Sequence, residues 1–463
     1  MSSDVKNLVL RGALALSTVA FAGCPSANSP DGSRPDAAEK WLRRAQQDYQ
    51  TCDVDEARDS IGKALAIVPG DPEVRLVAAR IALARLDYDE VLRQLKEVRT
   101  SEAAGLRGRA LWYKGELEAA ADELEAMLND PEVKDDWAKA IAKLARRGAG
   151  RTPFAHAGGM LAAIEMPHVN PSVPYFVVPL EIDGEAGLAL ISTGNAEVVL
   201  DSATRPEPSW VSLRFGERFE VRDVPALAQD LSGISKELGA PIRALLGVNV
   251  LRHMNVTLDY FGRQFVARSF AAPPPPAATR VDLCYARGGG MVLRSGFDGE
   301  KGPKAALLVD TAMEFPIALD QGGWKKAGVD VASMRTVPQA PQLKEGVVGM
   351  LRLGAFDVPK VPGVFGAPIE GVEKLLAIDL DGVVGAGLLA QFRLTLGDGG
   401  RVAWFEDNSS IAKLLAQPAA PAPPAPQAAP PLNQGAGPAP SMAPAAPPPS
   451  KKAPPPAKKK PKP

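Results

Sequence analysis

Two stretches of the chain repeat one another, landmark by landmark. Leu190-Ile191-Ser192-Thr193-Gly194, Leu213-Arg214-Phe215-Gly216 and Ala244-Leu245-Leu246-Gly247 return in the same order as Leu308-Val309-Asp310-Thr311-Ala312, Leu351-Arg352-Leu353-Gly354 and Val383-Val384-Gly385. Spacing is kept as well as order: Gly216 to Gly247 and Gly354 to Gly385 are both 31 residues, and Gly247 to Thr257 and Gly385 to Thr395 are both 10. Each copy opens with Asp-Gly, at Asp183-Gly184 and Asp298-Gly299, a pair that tolerates the positive φ of a tight hairpin. The second copy carries about 20 extra residues between its first two landmarks, around Gly322 to Gln342. From about Met166 apolar residues alternate and Gly and Pro punctuate, the pattern of short strands and turns. The spacing predicts an all-β, two-lobed domain over 151–270 and 280–410, joined through Ala271-Ala272-Pro273-Pro274-Pro275-Pro276.

Ahead of this duplication the period is helical. From Ala37 to about residue 147 apolar side chains recur at three- and four-residue spacing, with Pro35-Asp36 as a start signal. Trp41, Ala45, Tyr49, Ala57, Ile61, Ala64 and Pro69 form one unit, and Ala79, Leu83, Val91, Leu95 and Val98 sit at matching offsets of 34. A shortened third copy holds Tyr113, Gly115, Ala120, Leu124, Met127 and Pro131, and the turns before Ala57, Val91 and Ala120 are versions of one motif. The 37–147 segment resembles the tetratricopeptide repeat, an all-α helical array. Such arrays imply either a groove for a peptide or protein partner or a spacer that lifts the rest of the chain.

The ends are of another kind. Lys6 and Arg11 accompany an apolar run from Leu8 to Phe21, which closes on Ala22-Gly23-Cys24 and turns polar. A charged start, a short apolar core and small residues before a cut describe a secretory signal. Cys24 after the small pair resembles the lipobox of bacterial lipoproteins, which implies a signal over 1–23, lipidation at Cys24 and a linker over 24–36. By the same resemblance, Pro25 after the cysteine points to the outer membrane of a cell envelope, with the chain facing the periplasm or the surface. Residues 411–463 form a Pro/Ala tail, and 417–463 hold 18 of the 44 prolines, six lysines and no acid. It buries too little apolar surface to fold. With a net charge of −1 over 463 residues, the chain offers no global case for nucleic-acid binding.

The duplicated motif, an apolar pair followed by Asp-Thr or Ser-Thr, a hairpin and then two apolar residues plus Gly, resembles the lobe of a retropepsin-like aspartic protease, and the two copies together a pepsin-like bilobal arrangement. That resemblance implies one catalytic acid per lobe, the pair sharing a proton so that one serves as base and the other as acid. It also implies that Thr193 and Thr311 clamp the two loops by hydroxyl bonds across the interface. Here the chain departs from the family. Ser192 stands at the position of the first acid, Asp310 keeps the second, and Ala312 stands where the family has glycine. A serine cannot share a proton at that acidity, so catalysis is expected to be impaired and the inter-lobe cleft to bind a peptide or protein segment uncut. Two alternatives stay open: an active endopeptidase in which Asp310 pairs with its copy in a homodimer, and a purely structural scaffold.

Other chemistries find less. A serine triad would need a histidine near Ser192, and His156, His168 and His253 lie outside the loop landmarks. Three scattered histidines with Cys52 and Cys284 give no zinc spacing, so no metal and no cofactor is expected. Cys52 and Cys284 fall in different domains and are expected to be buried as small apolar groups. Asp201 and Asp381 read as turn acids, and Gly288-Gly289-Gly290 lacks the lysine and helix of a phosphate loop. Asp310 itself could serve only to satisfy backbone N–H groups at its tight loop.

Overall fold

A computed structural model describes residues 34–407 apart from 171, 172 and 339. The expected signal over 1–23, Cys24 and the Pro/Ala tail lie outside the described residues.

Helices α1 (Asp36–Gln50), α2 (Val54–Ile67), α3 (Pro72–Ala84), α4 (Tyr88–Leu95), α5 (Ser101–Lys114) and α6 (Leu117–Leu128) form three successive hairpins, and α7 (Asp136–Arg147) follows. Several of their starts are capped by a side-chain oxygen. Asp71 accepts from the N–H groups of Glu73 and Val74 ahead of Pro72, Thr100 from Ala103, and Asp135 from Ala138. The three hairpin turns are one structure. In each, a residue with left-handed φ follows the first helix: Cys52 at 53°, Leu86 at 59° and Gly115 at 85°. The next N–H reaches back to close the helix, from Asp53 to Asp48 O, Asp87 to Ala82 O and Glu116 to Leu111 O, the geometry of a Schellman cap. Conformation thus repeats with the sequence, although only the third copy has the glycine that this φ favours.

The β region opens earlier than the alternation suggests, with β1 (Ala155–Gly158) and β2 (Leu161–Glu165). The first lobe continues with β3 (Val177–Ile182), β4 (Glu185–Ile191), β5 (Val198–Asp201), β6 (Ser209–Phe215), β7 (Phe219–Gln229), α8 (Ser232–Leu238), β8 (Ile242–Leu246), α9 (Val248–His253), β9 (Thr257–Asp259) and β10 (Gln264–Arg268). The second holds β11 (Thr279–Ala286), β12 (Gly290–Phe297), β13 (Lys304–Asp310), β14 (Ile317–Leu319), α10 (Gln321–Lys326), β15 (Arg335–Val337), β16 (Ala340–Leu353), β17 (Phe356–Phe365), α11 (Ile369–Leu376), β18 (Gly382–Gly385), α12 (Ala386–Leu389), β19 (Phe392–Gly397) and β20 (Val402–Asp407).

Strand pairing repeats step for step. β4 runs parallel to β8 as β13 does to β18, β5 antiparallel to β8 as β14 to β18, and β5 parallel to β7 as β14 to β17. Register fixes the equivalence of the loops: Ile191 lies opposite Leu246, and Asp310 opposite Gly385. The extra residues of the second copy build α10, β15 and the first half of β16, a hairpin that projects from that lobe alone. The all-β expectation needs one correction: each lobe carries short helices, of which α8 and α11 sit at equivalent places before β8 and β18. Segments of four to eight residues are too short for a helical period to stand out from strand alternation.

The lobes join through their last strands. β9 and β19 pair antiparallel with Leu258 opposite Leu394, and β10, β2, β20 and β11 extend the sheet on either side. At its centre the Oγ1 atoms of Thr257 and Thr395, the matched landmarks, lie 2.8 Å apart and buried.

Against this body the helical array lies along both lobes. Leu42, Tyr49, Ile61, Val77 and Ile81 share one core with Val292, Leu308, Val364, Val372 and Leu376 of the second lobe. Leu86, from the second turn, enters the core of the lobes themselves. Trp112 meets Trp210 of the first lobe edge-on at 6.1 Å, and Trp210 Nε1 donates to Leu144 O at the end of α7.

Candidate active-site loops

β4 and β13 each deliver their last residues into a loop at the lobe boundary, and the two loops meet there. Thr193 Oγ1 donates to Val309 O at 2.8 Å and accepts from Thr311 N at 3.1 Å. Thr311 Oγ1 reciprocates, donating to Ile191 O at 2.7 Å and accepting from Thr193 N at 3.2 Å. Both threonines are fully buried, so these four bonds hold the loops together without competition from water.

Asp310 is 7% exposed. Its Oδ1 accepts from Ala312 N at 2.9 Å, and Gly194 N–H from the facing loop bonds the same carboxyl. Burial raises its pKa, and the two N–H groups pull the other way. The close approach depends on glycine: a Cβ at Gly194 would sit 2.8 Å from Asp310 Cγ. Ser192, at the equivalent place, is fully buried and its Oγ accepts from Asn195 Nδ2 at 2.7 Å. An amide cannot take a proton from that hydroxyl, so the serine is capped rather than activated. One carboxyl therefore stands at the junction. It can accept or give one proton, and the equivalent position offers the Ser192 hydroxyl in place of a carboxyl to share it.

The histidines lie apart from this arrangement. His253, pushed down to about 4 by burial, bonds Asn249 O at 2.7 Å. His156 Nε2 is 3.0 Å from His253 O, and His168 stacks on Tyr260. Asp201 accepts from Ala203 and Leu231 N–H, while Asp381 accepts from Ala306 N and pairs with Lys326. Among the described residues no group of His, Cys, Asp and Glu could hold a metal ion.

Three features around the loops escape motif reading. Asn195 is one. A second is Glu197, buried where α5 and α7 dock; it accepts from Trp112 Nε1 and Asn249 Nδ2, both at 3.3 Å. Burial raises its pKa, with Asn249, Trp112 and the Arg252 charge opposing. Arg252 in turn sits among Tyr113, Tyr285 and Tyr88 at 5.5, 5.7 and 6.0 Å from their rings. An acid inside Ala196-Glu197-Val198-Val199-Leu200 was the available signal, since an unpaired charge is not buried in an apolar run. The third feature is a carboxyl group set on the other flank. Tyr175 OH donates to Glu237 at 2.7 Å, and burial raises Glu237 and Glu314 alike. Tyr175 packs in one cluster with Leu190, Val199, Leu245 and Ala312.

The two flanks differ in cover. A cavity beside Gly194 and Leu308 is walled by Ala196, Gly289 and Leu376 from the lobes and by Arg109, Tyr113 and Trp137 from the array. Across the pseudo-two-fold, Ala312 and Glu314 are half-buried; Ala312 packs on the Tyr175 cluster, while the neighbouring Met313 and Phe315 belong to the core shared with the array.

No protein-family model matches this chain, and no curated protein does. Among solved structures it is similar to a retropepsin-like aspartic protease from Rickettsia conorii, at 15% identity over 29% of this chain and 94% of that one, with a TM-score of 0.22. It is also similar to basic 7S globulin from soybean, at 9% identity over 56% of this chain and 97% of that one, with a TM-score of 0.37. At such identities no chemistry transfers, and the chemistry of the site is set by this chain's own residues.

Proposed function

We propose that the chain is a lipid-anchored cell-envelope protein in which a tetratricopeptide-like array backs an aspartic-protease-like pair of lobes, and that it binds an extended peptide or protein segment without cutting it. The observation that carries the reading is residue 192, a buried serine held by Asn195 opposite the single carboxyl of Asp310. The crossed threonine bonds keep both loops in a binding shape although the second acid is gone. Peptidase activity through a homodimer of Asp310 would need the lobes to part, against those bonds and the β9–β19 pairing. A ligand has the flank of Ala312, Tyr175, Glu237 and Glu314 to enter, because Tyr113 and Trp137 roof the other. The helical array spends its α1, α3 and α5 side chains on the lobes, so an outside partner would meet its remaining faces.

The test is capture of a random peptide library by the immobilised full chain carrying Cys24→Ser. Peptides retained by this chain and lost in Ala312→Trp, with the fold verified by circular dichroism, support binding at the open flank. Equal retention by both would overturn it. Anchoring is checked separately, by radiolabelled palmitate incorporation that Cys24→Ser abolishes.

A further inference from the structure

Cys52 and Cys284 belong to different parts of the chain, yet they lie in one core. Cys52 is the left-handed residue of the α1–α2 turn, and Cys284 lies on β11 of the second lobe. They are 2% and 4% exposed and share one core, and Cys284 lies opposite Val292, two residues from the Arg294 that pairs with Asp53. Their approach is fixed from both sides. Asp379 N–H donates to Gln50 O at 2.9 Å, and Asp53 pairs with Arg294 on β12, the strand hydrogen-bonded to β11. At the equivalent turn of the third hairpin the residue is Gly115, which this φ favours. A side chain at position 52 is thus carried against backbone preference, in the core that also holds Cys284.

We propose that Cys52 and Cys284 are a disulfide site that fastens the helical array to the second lobe. The oxidant is a small or protein disulfide of the kind found in exported compartments. One cysteine thiolate attacks that disulfide and displaces half of it as a thiol, leaving a mixed disulfide. The other thiolate then attacks the mixed disulfide and releases the second thiol. Two protein thiols are oxidised by two electrons in all, one oxidant disulfide is reduced to two thiols, and each proton lost by a cysteine appears on a leaving thiolate. Burial keeps both sulfurs from solvent in the docked state, so the bond closes during folding, as the array settles on the lobe. Only the availability of the oxidant in the cell rests on the export reading; the pairing does not.

The experiment uses the full chain carrying Cys24→Ser, refolded in glutathione buffer with the oxidised form in excess, then denatured and alkylated. The expected result is a product two mass units lighter, unlabelled by the alkylating agent, with a Cys52–Cys284 linked peptide after digestion. Its denaturation midpoint should lie above that of the reduced protein, a gap that reductant removes and Cys284→Ser never shows. Two alkylated thiols, or a separate glutathione on each cysteine, would overturn the site. A linked product with no midpoint gap would overturn the fastening. Alkylation of the chain taken directly from the envelope then reports on export alone: linked there, the oxidant is met; free there but linked on refolding, the site stands and the exported setting falls.

Discussion

Restoring an acid at position 192 should fail unless a second residue is changed with it. A Cβ at Gly194 would approach Asp310 Cγ to 2.8 Å and its carboxylate oxygens to 2.9 and 3.0 Å. By the pseudo-two-fold, Ala312 is expected to face residue 192 as Gly194 faces Asp310, and Ala312 carries a Cβ. A serine leaves room for that methyl, whereas a carboxyl does not. Ser192→Asp therefore overpacks a buried site, at about 1–3 kcal/mol. It also brings a second carboxyl beside Asp310, whose own pKa is already raised by burial, at about 1.4 kcal/mol for each further tenfold weakening of the acid. Adding Ala312→Gly should return the steric part, about 1–3 kcal/mol, while Ala312→Gly alone should cost about 0.5–1 kcal/mol. The electrostatic remainder follows the sign of a raised acid: absent while both carboxyls are protonated, and growing as pH rises through the raised values. Urea denaturation of the parent, both single variants and the double variant, at acid and neutral pH, measures all of this. A harmless Ser192→Asp, or an Ala312→Gly that restores less than about 0.5 kcal/mol in its background, would refute the steric coupling.

Three further outcomes are expected. Thr311→Val removes a buried hydroxyl that both donates to Ile191 O and accepts from Thr193 N, and should lower stability by about 3 kcal/mol in chemical denaturation. Gly194→Ala should cost about 1–3 kcal/mol, and much less in an Asp310→Ala background, where the clashing carboxyl is gone; equal costs in both would exclude that contact. Glu197 has a raised pKa through burial, so its contribution to stability is fully present below the ordinary glutamate value and lost as pH climbs through the raised one. Glu197→Gln should accordingly flatten the decline in denaturation midpoint between acid and neutral pH, and an unchanged slope would count against a buried, raised acid.

Most of the body was legible because repetition is visible without alignment. The 31- and 10-residue spacings mark equivalent strands, and the positive φ of Gly216 and Gly354 at 61° and 59° places equivalent turns at two of those landmarks. The three helical hairpins were readable for a similar reason, since their turns share one cap. What stayed hidden was docking. Nothing in the order of residues says that Leu86 leaves the array for the core of the lobes, that Cys52 and Cys284 share one core, or that Trp112 donates to Glu197. Those contacts join residues far apart along the chain and have no period. At the site the motif located Ser192, Thr193, Asp310 and Thr311, but Asn195 and the flank of Tyr175, Glu237 and Glu314 depend on how loops fold over it.

The most direct measurement is a cleavage assay of the full chain carrying Cys24→Ser on a mixed peptide library from acid to neutral pH, beside the same chain with Asp310→Asn. With one carboxyl and a capped serine at the junction, no peptide should be cut by either at any pH. Cleavage by the parent that disappears in Asp310→Asn would contradict the account and make Asp310 a working catalytic acid.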